Sequence, residues 1–421
     1  MGEWVEKQVS QIGKVVSGAT PSTARNEFWN GQINWITPTD LSKSKTPFVQ
    51  KSERLISELG LQNCSAQLIP AGNLVLSSRA PIGYFAIVQN QFTTNQGCKS
   101  IIFDVNQNSI FHYYNFLFRV DKFKEKGEGT TFAEISKREI EKLVFQFPES
   151  FEEQSTIALI LSTIDQAIEK TERLIAKYER IKTGLMQDLL TRGIDEQGRI
   201  RSEETHVFKD SPLGRVPVEW EVVSAKNLSK RVCVGFVGTC EKYYTNPSNG
   251  IPMIRTGNLQ NGELNLSELK YVTFDFHISN KKSQLHKGDI LVARHGESGQ
   301  AVLFNTDIPE ANCLNIVIIR PDFLQITSKY FRNYLNSETV KRQVENKKGG
   351  TTQSVVNTKE IENLLVAFPK RSEQERIDSI LNIVDRYMGG EKNNLIKLKK
   401  QKTALMQDLL TGKVRVDALI K

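Results

Sequence analysis

Long apolar runs are missing from this chain: no stretch reaches the roughly 18 residues needed to span a bilayer. The N-terminal residues, from Met1 to Gly13, have no apolar core of the kind a signal peptide carries, and the residues after Gly2 do not complete a myristoylation motif. A cytoplasmic protein without a membrane partner is expected. Cysteine is sparse: Cys64, Cys98, Cys233, Cys240 and Cys313 are the five present, and no two form a CxxC pair. The five histidines are scattered without metal-ligand spacing. Reduced thiols in or near the cores are therefore expected, with neither a disulfide framework nor a metal site. There is no Walker A loop, and Gly127-Glu128-Gly129 is a lone GxG without a clear strand before it. No nucleophile elbow is present. The nearest approach to the Asn-Pro-Pro-aromatic motif of adenine methyltransferases is Thr245-Asn246-Pro247-Ser248, which lacks the second proline and the aromatic. Nothing in these motifs argues for catalysis, and a non-enzymatic role is expected.

What is present is ordinary in composition and unusual in arrangement. The chain has 421 residues, 39% hydrophobic and 25% charged, too long for one ordinary core. Its formal net charge of +8 favours a polyanionic partner, because each phosphate contact releases counterions. An internal repeat dominates. GTTFAEISKREIEKLVFQFP, beginning at Gly129, aligns with GTTQSVVNTKEIENLLVAFP, beginning at Gly350, at an offset of 221. After a one-residue shift, LMQDLLT at Leu185–Thr191 recurs letter for letter at Leu405–Thr411. Weaker echoes precede these, such as Gly72–Ser78 against Gly288–Arg294 at an offset of 216. Each half thus holds a divergent segment of about 150 residues followed by a similar one of about 40. Similar parts suggest a shared structural or docking task, and divergent parts suggest two different targets.

The similar segments carry a heptad. Ile157, Leu161, Ile164, Ile168, Thr171, Ile175, Tyr178, Lys182, Leu185 and Leu189 alternate spacings of four and three. Ile377, Leu381, Val384, Met388, Glu391, Leu395, Leu398, Lys402, Leu405 and Leu409 repeat the alternation position for position. A sustained 3.5-residue period predicts a coiled coil. Pro148 and Pro369 precede the helices, and Gly193 and Gly412 follow them. Helix one ends where the second divergent segment begins, so pairing of the two helices within the chain must be antiparallel. Pairing between two chains stays open. Lys182 and Lys402 interrupt both seams at one repeat position, either fixing register or reaching toward water. From Ile157 to Leu189 the helix would run about 50 Å, comparable to roughly 15 base pairs.

The divergent segments read as mixed α/β domains. Leu74–Ser77, Tyr84–Val88 and Lys99–Val105 are predicted strands, followed by a helix over Ser109–Phe123. Asp289–Val292, Gln300–Phe304 and Ile316–Arg320 are their counterparts, followed by a helix over Ser328–Glu345. Polar or basic residues in or beside loops are the candidate DNA contacts. They are Lys43, Lys45, Arg79, Lys99, Lys124, Lys126 and Thr130 in the first half. In the second half they are Arg255, Arg294, His295, Lys347, Lys348, Thr351 and Gln353. Arg and Lys suit phosphates and the guanine edge, and Gln suits adenine.

Five kinds of phrase, set in order along the duplicated chain, carry a family resemblance. They are Ser17-Gly18-Ala19-Thr20-Pro21, the run Gly214–Trp220, the run Gly288–Arg294, the two GTT loops and the paired LMQDLLT ends. Over essentially its whole length the chain resembles the specificity subunit of type I restriction–modification enzymes. The resemblance implies an α+β fold: two mixed α/β target-recognition domains separated by an intramolecular antiparallel coiled coil, with pseudo-twofold symmetry. The divisions expected are 1–150 and 219–370 for the recognition domains and 151–192 and 371–412 for the helices. A linker over 193–218 and a tail over 413–421 complete them. It also implies a bipartite, asymmetric site on double-stranded DNA, with the helices as a ruler for the unspecified spacer. Two methyltransferase subunits bringing S-adenosylmethionine, and two motor–nuclease subunits using ATP and Mg2+, are the implied partners. The chain itself would bind no cofactor. A two-headed DNA-binding regulator and a coiled-coil adaptor that never touches DNA are the rival readings.

Overall fold

The structure is a computed structural model that describes residues 3–44, 46–79, 81–127, 133–260, 262–294, 300–347 and 357–416, with 346 and 347 by backbone alone. Packing divides the chain into two compact units, Met1–Ile175 with Glu391–Lys421, and Ala176–Gly390. This differs from the sequential division expected, because each long helix contributes one part to each unit. The long helices span Phe151–Leu189 and Arg371–Leu410.

In unit 1, a five-stranded sheet runs in the order Gly13–Ser17, Cys98–Phe103, Asn73–Ser77, Phe85–Val88, Phe48–Val49. All neighbours are antiparallel except the last pair. The predicted strands lie here, within one or two residues. The predicted helix starts where Asn108 accepts from Phe111 N at 3.0 Å, and it breaks at Arg119 into Ser109–Phe118 and Val120–Glu125. Arg119 turns its Nη2 to the carbonyl of Leu410, 2.7 Å away, closing the end of the second long helix. Phe111, Tyr114, Phe116, Phe123, Phe145 and Phe147 form the core, joined by Ile157 and Leu161 from one long helix and Leu409 and Leu410 from the other. Each such fully buried side chain stabilises the fold by roughly 1.5–3 kcal/mol.

Unit 2 repeats the plan. Its four-stranded sheet runs Ser229–Val234, Ile316–Pro321, Ile290–Ala293, Ala301–Leu303. Thr327 caps the helix Ser328–Leu335 by accepting from Tyr330 N at 3.1 Å. The predicted helix over 328–345 breaks at Asn336, whose side chain instead bonds the backbone of Ala301 at 2.7 and 2.8 Å. A second helix, Glu338–Lys347, follows. The 193–218 segment, expected to be a linker, is packed: Phe208–Lys209 pairs with Val216–Pro217, and Arg201 forms a buried ion pair with Glu373 at 2.6 Å.

Inside each unit the long helices pair antiparallel, as the ion pairs record. In unit 1 Lys402 meets Asp165 at 2.6 Å and Lys399 meets Glu172 at 2.8 Å. In unit 2 Lys182 meets Asp385 at 2.5 Å, and Tyr178 stacks on Tyr387 with ring centroids 6.0 Å apart. Lys182–Asp385 and Lys402–Asp165 are the same pair in the two repeats. The lysine that interrupts each seam therefore has an anionic partner. Seam positions from Ile157 to Leu189 and from Ile377 to Leu409 are buried or half-buried, while most flanking positions are exposed. Gly193 and Gly412 end the helices with φ of 63° and 72°, a region glycine enters without strain. A Cβ on either would press on a tryptophan, Trp220 or Trp4.

Candidate nucleic-acid interface

The interface begins with the strand ends that the repeat places alike. A glutamine early in each long helix braces the neighbouring loop. Gln154 Oε1 accepts from Asn108 N at 2.8 Å and its Nε2 donates to Pro148 O at 3.0 Å. Gln374 Oε1 accepts from Thr327 N at 2.8 Å and its Nε2 donates to Pro369 O at 2.9 Å. Both glutamines are fully buried. The common frame thus carries its own polar satisfaction, and the divergence is left to the surface.

Four candidates of unit 1 gather at one corner. Arg79 follows the strand Asn73–Ser77, and its Nε donates to Glu134 Oε2 at 2.9 Å. Lys99 lies beneath, its side chain 8% exposed, with Nζ 3.5 Å from Glu134 Oε1 and 3.3 Å from both Ser78 Oγ and Gln96 O. Burial makes Lys99 an internal support rather than an accessible contact. Lys124 packs near Gly83 and pairs with Asp121 at 3.2 Å, and Lys126 is exposed. Arg138, exposed and absent from the sequence candidates, joins them. Its charge and that of Lys126 help hold the Glu139 carboxyl below its ordinary range, after the hydrogen bond from Lys142. Glu134 was missed as well; only its place five residues after the glycine of the GTT loop hinted at it.

Lys43 is elsewhere. It pairs with Glu53 at 2.8 Å and lines a cleft of about 970 Å³ with Asp40, Asp165, Glu169 and Glu172. Lys51 and Arg173 line the same cleft, and Lys43 lies apart from the corner of Arg79 and Glu134. In unit 2, Arg255 ends the strand Ile251–Arg255 and donates to Glu268 O at 3.2 Å. The hairpin that follows it packs on strands Ile290–Ala293 and Ala301–Leu303. Arg294 comes directly after the first of these, and its buried Nε has no acceptor among the described residues. Lys347 ends a helix whose last side chains are not described. Lys45, Thr130, His295, Lys348, Thr351 and Gln353 lie outside the described residues.

Among the described residues, no group of three His, Cys, Asp or Glu could hold a metal ion, and no helix is long and apolar enough to cross a membrane. All five cysteines are free, four of them buried.

The family described as the type I restriction modification DNA specificity domain matches residues 1–180 and again 217–400. The chain belongs to that family. Its assignment is therefore to DNA recognition rather than to catalysis. It is 28% identical to the type I restriction enzyme MjaIX specificity subunit of Methanocaldococcus jannaschii, over 99% of this chain and 95% of that one. It is 25% identical to the MjaVIII specificity subunit of the same organism, over 99% and 94%. The crystal structure of the type I restriction–modification S subunit from M. genitalium superposes with a TM-score of 0.61 at 15% identity, covering 97% of this chain and 96% of that one. A chain from a structure of a type I system, solved for its complex assembly and conformational transition, gives a TM-score of 0.55 at 14% identity, over 97% of each. At such identities the likeness is one of fold.

Proposed function

We propose that this specificity subunit reads a bipartite, asymmetric site on double-stranded DNA, one half-site per unit, and holds two methyltransferase subunits that methylate adenine. Two motor–nuclease subunits join for restriction. S-adenosylmethionine enters with the methyltransferase, ATP and Mg2+ with the nuclease, and this chain contributes no cofactor. The complex acts in the cytoplasm.

The observation that carries this reading is one frame used twice with unlike corners. The glutamine brace, the left-handed glycine beside a tryptophan and the Lys–Asp seam pair recur in both units. The basic corners do not: Arg79 sits on a carboxylate, whereas Arg294 has none among the described residues. Repeated parts suit two copies of one partner, and unlike parts suit two different base sequences. The uninterrupted 39 and 40 residues of the long helices support their use as a ruler for the spacer. The relative solved for complex assembly supports partner subunits.

The deciding experiment is methylome sequencing of the host with and without this gene. A two-part motif with an unspecified spacer should vanish on deletion; an unchanged methylome sinks the proposal. The adaptor reading is separated by salt, because DNA affinity should fall steeply with rising ionic strength if phosphates are contacted.

A further inference from the structure

From the corner of unit 1 we infer that Arg79 reads a guanine and that Glu134, compensated by Lys99, is the positioning residue that aims it. The inference rests on the DNA-reading function proposed above and assigns one base contact within it.

Two cations share one carboxylate. Glu134 accepts from Arg79 Nε through Oε2 at 2.9 Å, and its Oε1 faces the Lys99 ammonium at 3.5 Å. The backbones are tied as well, since Ile135 N donates to Ser78 O at 2.9 Å and Arg79 bridges Glu134. Lys99 is 8% exposed, a burial that is costly for an ammonium without an anion. Arg79 is 48% exposed, and among the described residues nothing accepts from its two Nη atoms. Held by Nε on a half-exposed side chain, the guanidinium thus keeps its Nη donors for an outside acceptor.

That arrangement suits a base edge better than a phosphate. A carboxylate 2.9 Å from the guanidinium offsets its charge, and charge is what a phosphate rewards. Direction is what the O6 and N7 acceptors of guanine reward, and a fixed fork supplies it. The second half supports the pairing of roles. Val317 stands opposite Val292 as Lys99 stands opposite Leu76. The GTT alignment places Val355 where the first half has Glu134. In the aligned sequences the lysine and its carboxylate thus occur together in the first half, with valine at both matching positions of the second.

The test uses the full chain assembled with its methyltransferase subunits, and duplexes carrying single base-pair replacements across the first half-site. Wild type should lose about tenfold to a hundredfold in methylation rate when one particular G·C pair is replaced. Arg79→Lys, which keeps the charge but not the fork, should cut that discrimination to a few-fold and leave the second half-site untouched. The double variant K99V/E134V, patterned on the second half, removes the buried ammonium and its half-exposed carboxylate together. It should keep its melting temperature within a few degrees yet lose about tenfold in discrimination at the same pair. Full discrimination in both variants overturns the inference while the DNA-reading function stands. So does an Arg79→Lys variant unchanged in rate beside an Arg79→Ala variant weakened equally on every sequence, with the salt slope lower by about one, since that marks a phosphate contact. A wild type with no base preference anywhere in the first half-site sinks the function and the inference together.

Discussion

Two buried titratable groups give the units opposite responses to acid. His112 is fully buried, with Nε2 2.8 Å from Gln107 Oε1, and burial pushes its pKa down from 6.5 to about 3. The unfolded imidazole takes a proton that the folded one refuses, so unit 1 loses stability as pH falls below about 6.5. We expect His112→Phe, which can stack on Phe103 as the imidazole does, to flatten the fall in melting temperature between pH 7 and pH 5; an equally steep fall refutes this role. Asp378 behaves in the opposite sense. Burial raises its carboxyl from 3.8 to about 6, although Thr327 Oγ1 donates to it at 2.7 Å. Its contribution to stability is fully present below 3.8 and is lost as pH rises through about 6. The stability gap between Asp378→Asn and wild type should therefore move toward the variant by about 2–3 kcal/mol from pH 4 to pH 7.5, measured by denaturant unfolding. Neither group was legible in the sequence. His112 is one polar residue inside an aromatic helix, and its complete burial depends on strands far away in the chain.

The heptad elements were the most legible part, because a period of 3.5 residues is written directly in the side chains. Even so, the roles of Lys182 and Lys402 stayed open until their partners were known. The aspartates that meet them sit on the facing helix, one step outside the seam. We expect Lys182→Asp to cost about 1–2 kcal/mol, since the pair is half-buried and like charges then meet. Adding Asp385→Lys should restore at least half of that loss in a double-mutant cycle. Strictly additive effects in thermal unfolding would show that the pair does not set register. The predicted helices over 109–123 and 328–345 were right in place and wrong in continuity. Arg119 and Asn336 both break them to serve distant backbone groups, Leu410 O and Ala301. Local periodicity carries no trace of such tertiary demands.

For the molecule as a whole, the bipartite reading proposed above implies that each unit is a separable reader. Replacing residues 1–150 with those of another family member should change one half-site of the methylated motif and leave the other intact. A change in both halves would defeat the modular reading. Inserting one heptad into both long helices should lengthen the spacer between unchanged half-sites, read from the methylome. The sequence by itself determined the duplication and the heptad helices and pointed to the family, since repeats and heptads are one-dimensional patterns; that the helices pair within the chain came from the tertiary structure. Which cations face solvent and which support them was decided only by tertiary structure. Lys43 and Lys99 look alike as letters, yet one is exposed and paired with Glu53 and the other lies buried under Arg79. Charge becomes function only after burial and a neighbouring carboxylate have fixed what each ammonium can reach.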